Sequence, residues 1–182
     1  MTDRHRRRPA RGYTPTHEAV TDAAAAAPVL LRATARSDRS GEVLALVALN
    51  AEARTALNLL LSQLVVTRLQ KDAHTTGLPV ETQLQDLLNP SLPTIGNGLM
   101  PSTVPGPDVT LDLIACIRAT LAEDGEGASQ LLTALAPTEV GSMLTLAIAL
   151  LAAMVRERAG GLGVEAAALF DEKIAPYLRG AA

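Results

Sequence analysis

Aromatic side chains are almost missing from this 182-residue sequence: Tyr13, Phe170 and Tyr177 are the only three, and there is no tryptophan. Any core must therefore be filled by Leu, Ala, Val, Ile and Met. That is the composition of closely packed helices, since alanine has the best helix propensity. Lysine is nearly absent too, occurring only at Lys71 and Lys173, with arginine supplying the rest of the 16 basic residues. This bias reads as codon usage in a GC-rich bacterial genome. Cysteine is limited to Cys116, which excludes an intramolecular disulfide and fits a reducing cytoplasm.

Long uncharged runs free of proline are also lacking. The longest of these, residues 140–155, spans 16 positions and carries Ser142 and Thr145. A transmembrane helix needs roughly 20 apolar residues, so a buried core helix is expected and no membrane partner. An export signal is disfavoured as well. Arginines do precede the apolar residues 23–31, and Ala33-Thr34-Ala35 resembles a cleavage site, but Glu18, Asp22 and Pro28 interrupt the pattern.

What the chain has is hydrophobic content, 48% against 19% charged, which excludes wholesale disorder and suffices for a real core. Its net charge of −3 is unevenly spread. Arg4, Arg6, Arg7, Arg8 and Arg11 face only Asp3 in the first eleven residues, leaving an acidic remainder. Residues 1–16, punctuated by Pro9, Gly12 and Pro15, read as a disordered basic arm.

The sequence also matches itself at an offset of 86. Arg32-Ala33-Thr34 falls on Arg118-Ala119-Thr120, Asp38 on Asp124 and Gly41 on Gly127. Leu60, Leu64, Ala73 and Gly77 fall on Leu146, Leu150, Ala159 and Gly163. Roughly 14 identities occur in about 63 aligned positions, about twice the chance level for so much Ala and Leu. The expected fold is all-α, a helical bundle of two quasi-equivalent units at 17–88 and 108–182. A Pro/Gly-rich linker at 89–107 joins them, too long and aperiodic for an ordinary loop.

Within each unit the pattern is the same. Residues 17–36 are helical, with Pro28 expected to break or kink them. Residues 37–41 read as a turn, and 42–49 as a short helix. Asn50 is a suitable N-cap for a long helix over 51–75, whose Ala53, Leu57, Leu60, Leu61, Leu64, Val65 and Leu69 form a core-facing stripe. A short helix over 80–88 stops at Pro90. In the second unit, Asp108 or Thr110 should cap a helix over 111–122. The acidic turn 123–127 and a short helix follow. Pro137 then opens a long helix over 137–158, ended by Gly160, Gly161 and Gly163, and 165–174 form the last helix. The 137–158 helix is apolar all round and should lie at the centre.

No set of residues declares a chemistry. From either Glu123 or Asp124, the twelfth position of a calcium loop falls on Ala134 or Leu135, neither a ligand. His5, His17 and His74 are scattered, and His74 best caps a helix C-terminus. Cys116 sits among Leu113, Ile114 and Ile117 as a packing residue rather than a nucleophile. Carboxylates such as Asp112, Glu139, Glu157 and Asp171 show no pairing. No metal, cofactor or catalytic residue is therefore expected.

A short helix, turn and long helix occur twice, which superficially resembles helix-turn-helix. Residues 55–67 and 140–155 of the long helices carry no charge, however, and neither helix can read a groove while burying that face. Only the arginine arm could therefore touch nucleic acid, and then without reading sequence. The expectation is a non-enzymatic interaction or regulatory module that binds a protein partner, as a homodimer through apolar helix faces. Leu59 and Val66, off the main stripe, are candidate interface residues, although a third packing layer would explain them equally. The alternatives are a DNA-associated accessory protein using the arm and a helical bundle enclosing an apolar ligand.

Overall fold

The computed structural model describes residues 14–36, 38–88, 107–169 and 172. Among them the ordered elements are helical and no strand occurs. Seven helices have nine residues or more: α1 (His17–Ala35), α2 (Arg39–Val47), α3 (Ala51–Thr76), α4 (Val80–Leu88), α5 (Pro107–Leu121), α6 (Gly125–Ala134) and α7 (Pro137–Leu162). A single further turn, α8, covers Ala166–Leu169.

Side-chain caps set where these helices begin. Asn50 Oδ1 accepts from the Ala53 amide at 2.8 Å and opens α3. Thr16 does the same for α1 through Ala19, at 3.3 Å. Each cap satisfies an amide that the first helical turn leaves without a partner. The α7 helix starts at Pro137, and the Glu139 carboxylate reaches back to the Ala136 amide at 2.8 Å. At the other end, Gly77 (φ 75°) and Gly163 (φ 67°) close α3 and α7 in the left-handed conformation that glycine tolerates best.

Several boundaries differ from the sequence expectation. Pro28 does not end a helix, because α1 continues from His17 to Ala35. Packing decides against local propensity here: Ala23, Ala24, Ala27, Leu30 and Leu31 on either side of Pro28 are all buried. The stretches read as turns at 37–41 and 123–127 are mostly the first turns of α2 and α6. Asp38 Oδ1 accepts from the Gly41 amide at 3.0 Å, and Asp124 Oδ1 from the Gly127 amide at 2.8 Å. Each aspartate thus converts turn-prone residues into a helix start. The α5 helix begins at Pro107 rather than at 111, with proline in the first position where its missing amide costs nothing. Gly160 and Gly161 stay helical, and only Gly163 ends α7. Of the last expected helix, Ala166–Leu169 is helical, and most of its remainder to 174 lies outside the described residues. Most of the expected arm and linker, at 1–13 and 89–106, lies outside the described residues, as do Phe170, Asp171 and residues 173–182.

The two long helices α3 and α7 pack against each other, and both α1 and α5 pack against the pair. Helix α2 rests on α1, α6 on α5 and α3, α4 on α3, and α8 on α7. The core is aliphatic: Leu57, Leu61, Leu144 and Ile148 are wholly enclosed between the helices. Burial of each such side chain contributes about 1.5–3 kcal/mol. As its all-round apolar surface requires, α7 has buried residues throughout its length, from Val140 to Ala159. Helix α2 is the contrast, since none of its residues is fully buried and Ala45 and Leu46 pack only partly against the core.

Candidate functional site

A cleft of about 440 Å3 lies where α1, α3 and α7 meet. Leu31, Leu64, Leu151, Met154 and Val155 line it with aliphatic surface, and Leu162 and Leu169 close one side. Its polar lining is mostly cationic: Arg68 and Lys71 from α3 and Arg158 from α7 stand beside Thr67. Arg68 Nε pairs with Asp72 Oδ2 at 2.8 Å, one turn further along α3. Among the described residues, Lys71 and Arg158 carry no ion pair. Both are exposed.

A second cleft of about 430 Å3 runs between α3 and the start of α6. Leu59, Gln63, Val66 and Gln70 line it from α3, and Ala128 from α6. The two candidate interface residues therefore meet on one face, turned towards a neighbouring helix of the same chain. Val66 is only 2% exposed, and Leu59 is half-buried against the core. The candidate arm residues Arg4, Arg6, Arg7, Arg8 and Arg11 lie outside the described residues.

Polar groups missed in the sequence line the inside of α3. Asn58 and Ser62 are both 0% exposed. Asn58 Nδ2 donates to Val140 O on α7 at 3.2 Å, bridging the two long helices, and also to Arg54 O at 3.3 Å. Among the described residues its Oδ1 has no partner, and neither has the buried Arg54 Nε, although Arg54 donates through Nη2 to Leu46 O at 3.1 Å. Ser62 Oγ lies 3.5 Å from Cys116 Sγ. Burial pushes the Cys116 thiol above its ordinary range despite that contact, so it stays protonated and a poor nucleophile.

Titratable groups elsewhere sit near the surface. Burial raises the Glu42 carboxyl, against the opposing pull of Arg39 and a hydrogen bond with Thr34. The Arg118 guanidinium hydrogen-bonds Glu81, holds that carboxylate low and ties α4 to α5. Among the described residues no group of three or more His, Cys, Asp or Glu side chains could hold a metal ion. They include one helix, Pro137–Leu162, that is long and apolar enough to cross a membrane, and just over half of its most apolar stretch is buried inside the chain. No family model, curated protein or solved structure matches this sequence.

Proposed function

We propose that this chain is a non-enzymatic helical interaction module, a bundle of two quasi-equivalent units that pairs with a second copy of itself through α2. Support for two units comes from the helix boundaries. Helices α1 and α5 end at 35 and 121, α2 and α6 begin at 39 and 125, and α3 and α7 run over 51–76 and 137–162. Every one of these pairs is offset by 86. The details repeat with them. Asp38 and Asp124 each cap through the amide three residues on, and their own amides bond Ala33 O and Ala119 O at 2.8 and 2.9 Å. Thr34 and Thr120 hydroxyls each donate to the carbonyl four residues back.

The observation that carries the pairing is where this correspondence stops. Helix α6 buries Ala128, Ser129 and Leu132. Its counterpart α2 buries no residue fully, packs only Ala45 and Leu46 partly against the core, and leaves Val43 51%, Leu44 71% and Val47 68% exposed. At i, i+1 and i+4 these three share one face of the helix. A self-complementary face of this kind suits a twofold pairing of α2 with α2. Nine residues offer little area, so the dimer is expected to be weak and concentration-dependent. A cytoplasmic location belongs to the same proposal, supported by the one free, buried Cys116.

Sedimentation equilibrium over a concentration series tests the pairing. The wild-type chain should associate reversibly, and Leu44→Asp and Val47→Asp should hold it monomeric with unchanged helical circular dichroism. A wild type that stays monomeric at high concentration, or variants that still dimerise, would refute it.

A further inference from the structure

We propose that the cleft between α1, α3 and α7 binds a single-chain anionic amphiphile, a carboxylate of the fatty-acid class. Its hydrocarbon tail would lie on Leu31, Leu64, Leu151 and Met154, with its head between Lys71 and Arg158. The site shares no helix with the α2 pairing face, so the two proposals stand or fall separately.

Three features of the cleft point to this ligand. Its volume of about 440 Å3 is that of a small-molecule site rather than a protein groove. Its floor is aliphatic and offers no donor or acceptor to an extended peptide, whose amides would be buried unpaired. An acyl chain brings no such groups. The rim then supplies the sign of the head. Outside the N-terminal arm the chain has only eleven basic residues against eighteen acidic ones, yet three of the eleven line this one cleft. Asp72 engages Arg68, while among the described residues Lys71 and Arg158, on two different helices, make no ion pair. A carboxylate between them gains charge-assisted hydrogen bonds while its tail leaves water. A nucleic acid fits poorly, because no described residue of the floor offers an aromatic ring for a base to stack on.

The test is equilibrium dialysis of the full chain against labelled palmitate, kept below the concentration at which it aggregates. Three comparison probes are hexadecanol, a hexadecyl trimethylammonium salt and anionic phospholipid vesicles. Palmitate should bind saturably at one site per chain, with the cationic amphiphile about tenfold weaker or worse. The double variant Lys71→Gln, Arg158→Gln alters two exposed side chains and should keep its helical content. It should weaken palmitate about tenfold while leaving hexadecanol unchanged, and added salt should weaken the wild type in the same direction. A second variant, Met154→Trp, fills the floor and should weaken palmitate and hexadecanol alike. Unsaturable palmitate uptake, equal affinity in the double variant, or a preference for vesicles over free palmitate would each overturn the proposal.

Discussion

Asn58 offers the sharpest test of the packing between the two long helices. Replacing it with leucine, the residue type at the corresponding position 144, changes three quantities. The hydrogen bond from Nδ2 to Val140 O is lost, at a cost of about 0.5–1.5 kcal/mol. Val140 O lies inside α7, where the helical i→i+4 pattern supplies it with another donor, so it is not orphaned. The partnerless Oδ1, buried at 0% exposure, is removed, which recovers about 1–3 kcal/mol of desolvation. Finally, a buried leucine contributes about 1.5–3 kcal/mol of its own, from which a change of shape in a packed core subtracts about 1–3 kcal/mol. Asn58→Leu should therefore stabilise the chain by about 1–2 kcal/mol, and Asn58→Ala, which opens a cavity, should not. Urea denaturation followed by circular dichroism measures the change, and at this chain length it corresponds to about 2–4 °C in Tm per kcal/mol. A loss of more than about 1 kcal/mol in Asn58→Leu would show that Oδ1 has a partner and that the helix contact relies on a polar group.

Two further outcomes follow from local geometry. A Cβ added at Gly127 would stand 2.1 Å from Asp124 Oδ2, and one at Gly41 2.6 Å from Asp38 Oδ2. Gly127→Ala and Gly41→Ala should each dislodge a cap and cost about 0.5–2 kcal/mol by urea denaturation, even though alanine is the better helix former. At Glu42 the folded carboxyl titrates above its ordinary 4.5, so the folded state holds its proton to higher pH than the unfolded chain. Its burial as an anion therefore weakens the fold at neutral pH, and that penalty disappears as pH falls through the raised value and below 4.5. Glu42→Gln should be more stable than wild type near pH 7, with the difference closing in acid. A gap that is constant across that range would refute the assignment.

The sequence was most informative where one residue decides one local event. Asn50 and Pro137 announce the starts of α3 and α7, and the all-apolar text of α7 announces its burial. The Asp-x-x-Gly stretches misled because the same residues serve turns and helix N-termini. Only the carboxylate's choice of the amide three positions on separates the two. Pro28 misled because tertiary packing can hold a helix through a proline. Asn58 and Ser62 lie at helical spacing with Val65 and Leu69, so the stripe was present in the sequence but masked by two polar side chains. The cleft was not legible at all. Arg68 and Lys71 stand some 90 residues from Arg158 in sequence, and nothing in the order of residues brings them to one rim.

The aliphatic core has a practical consequence for spectroscopy. Every aromatic residue in the chain, Tyr13, Phe170 and Tyr177, falls before or after the described helices. Among the described residues the interior contains no chromophore beyond the peptide bond. Intrinsic fluorescence and near-ultraviolet dichroism therefore arise from Tyr13, Phe170 and Tyr177, and no side chain of α3 or α7 contributes an aromatic signal. A single tryptophan introduced anywhere in the helical body would be read against a dark background, as a probe of that one position.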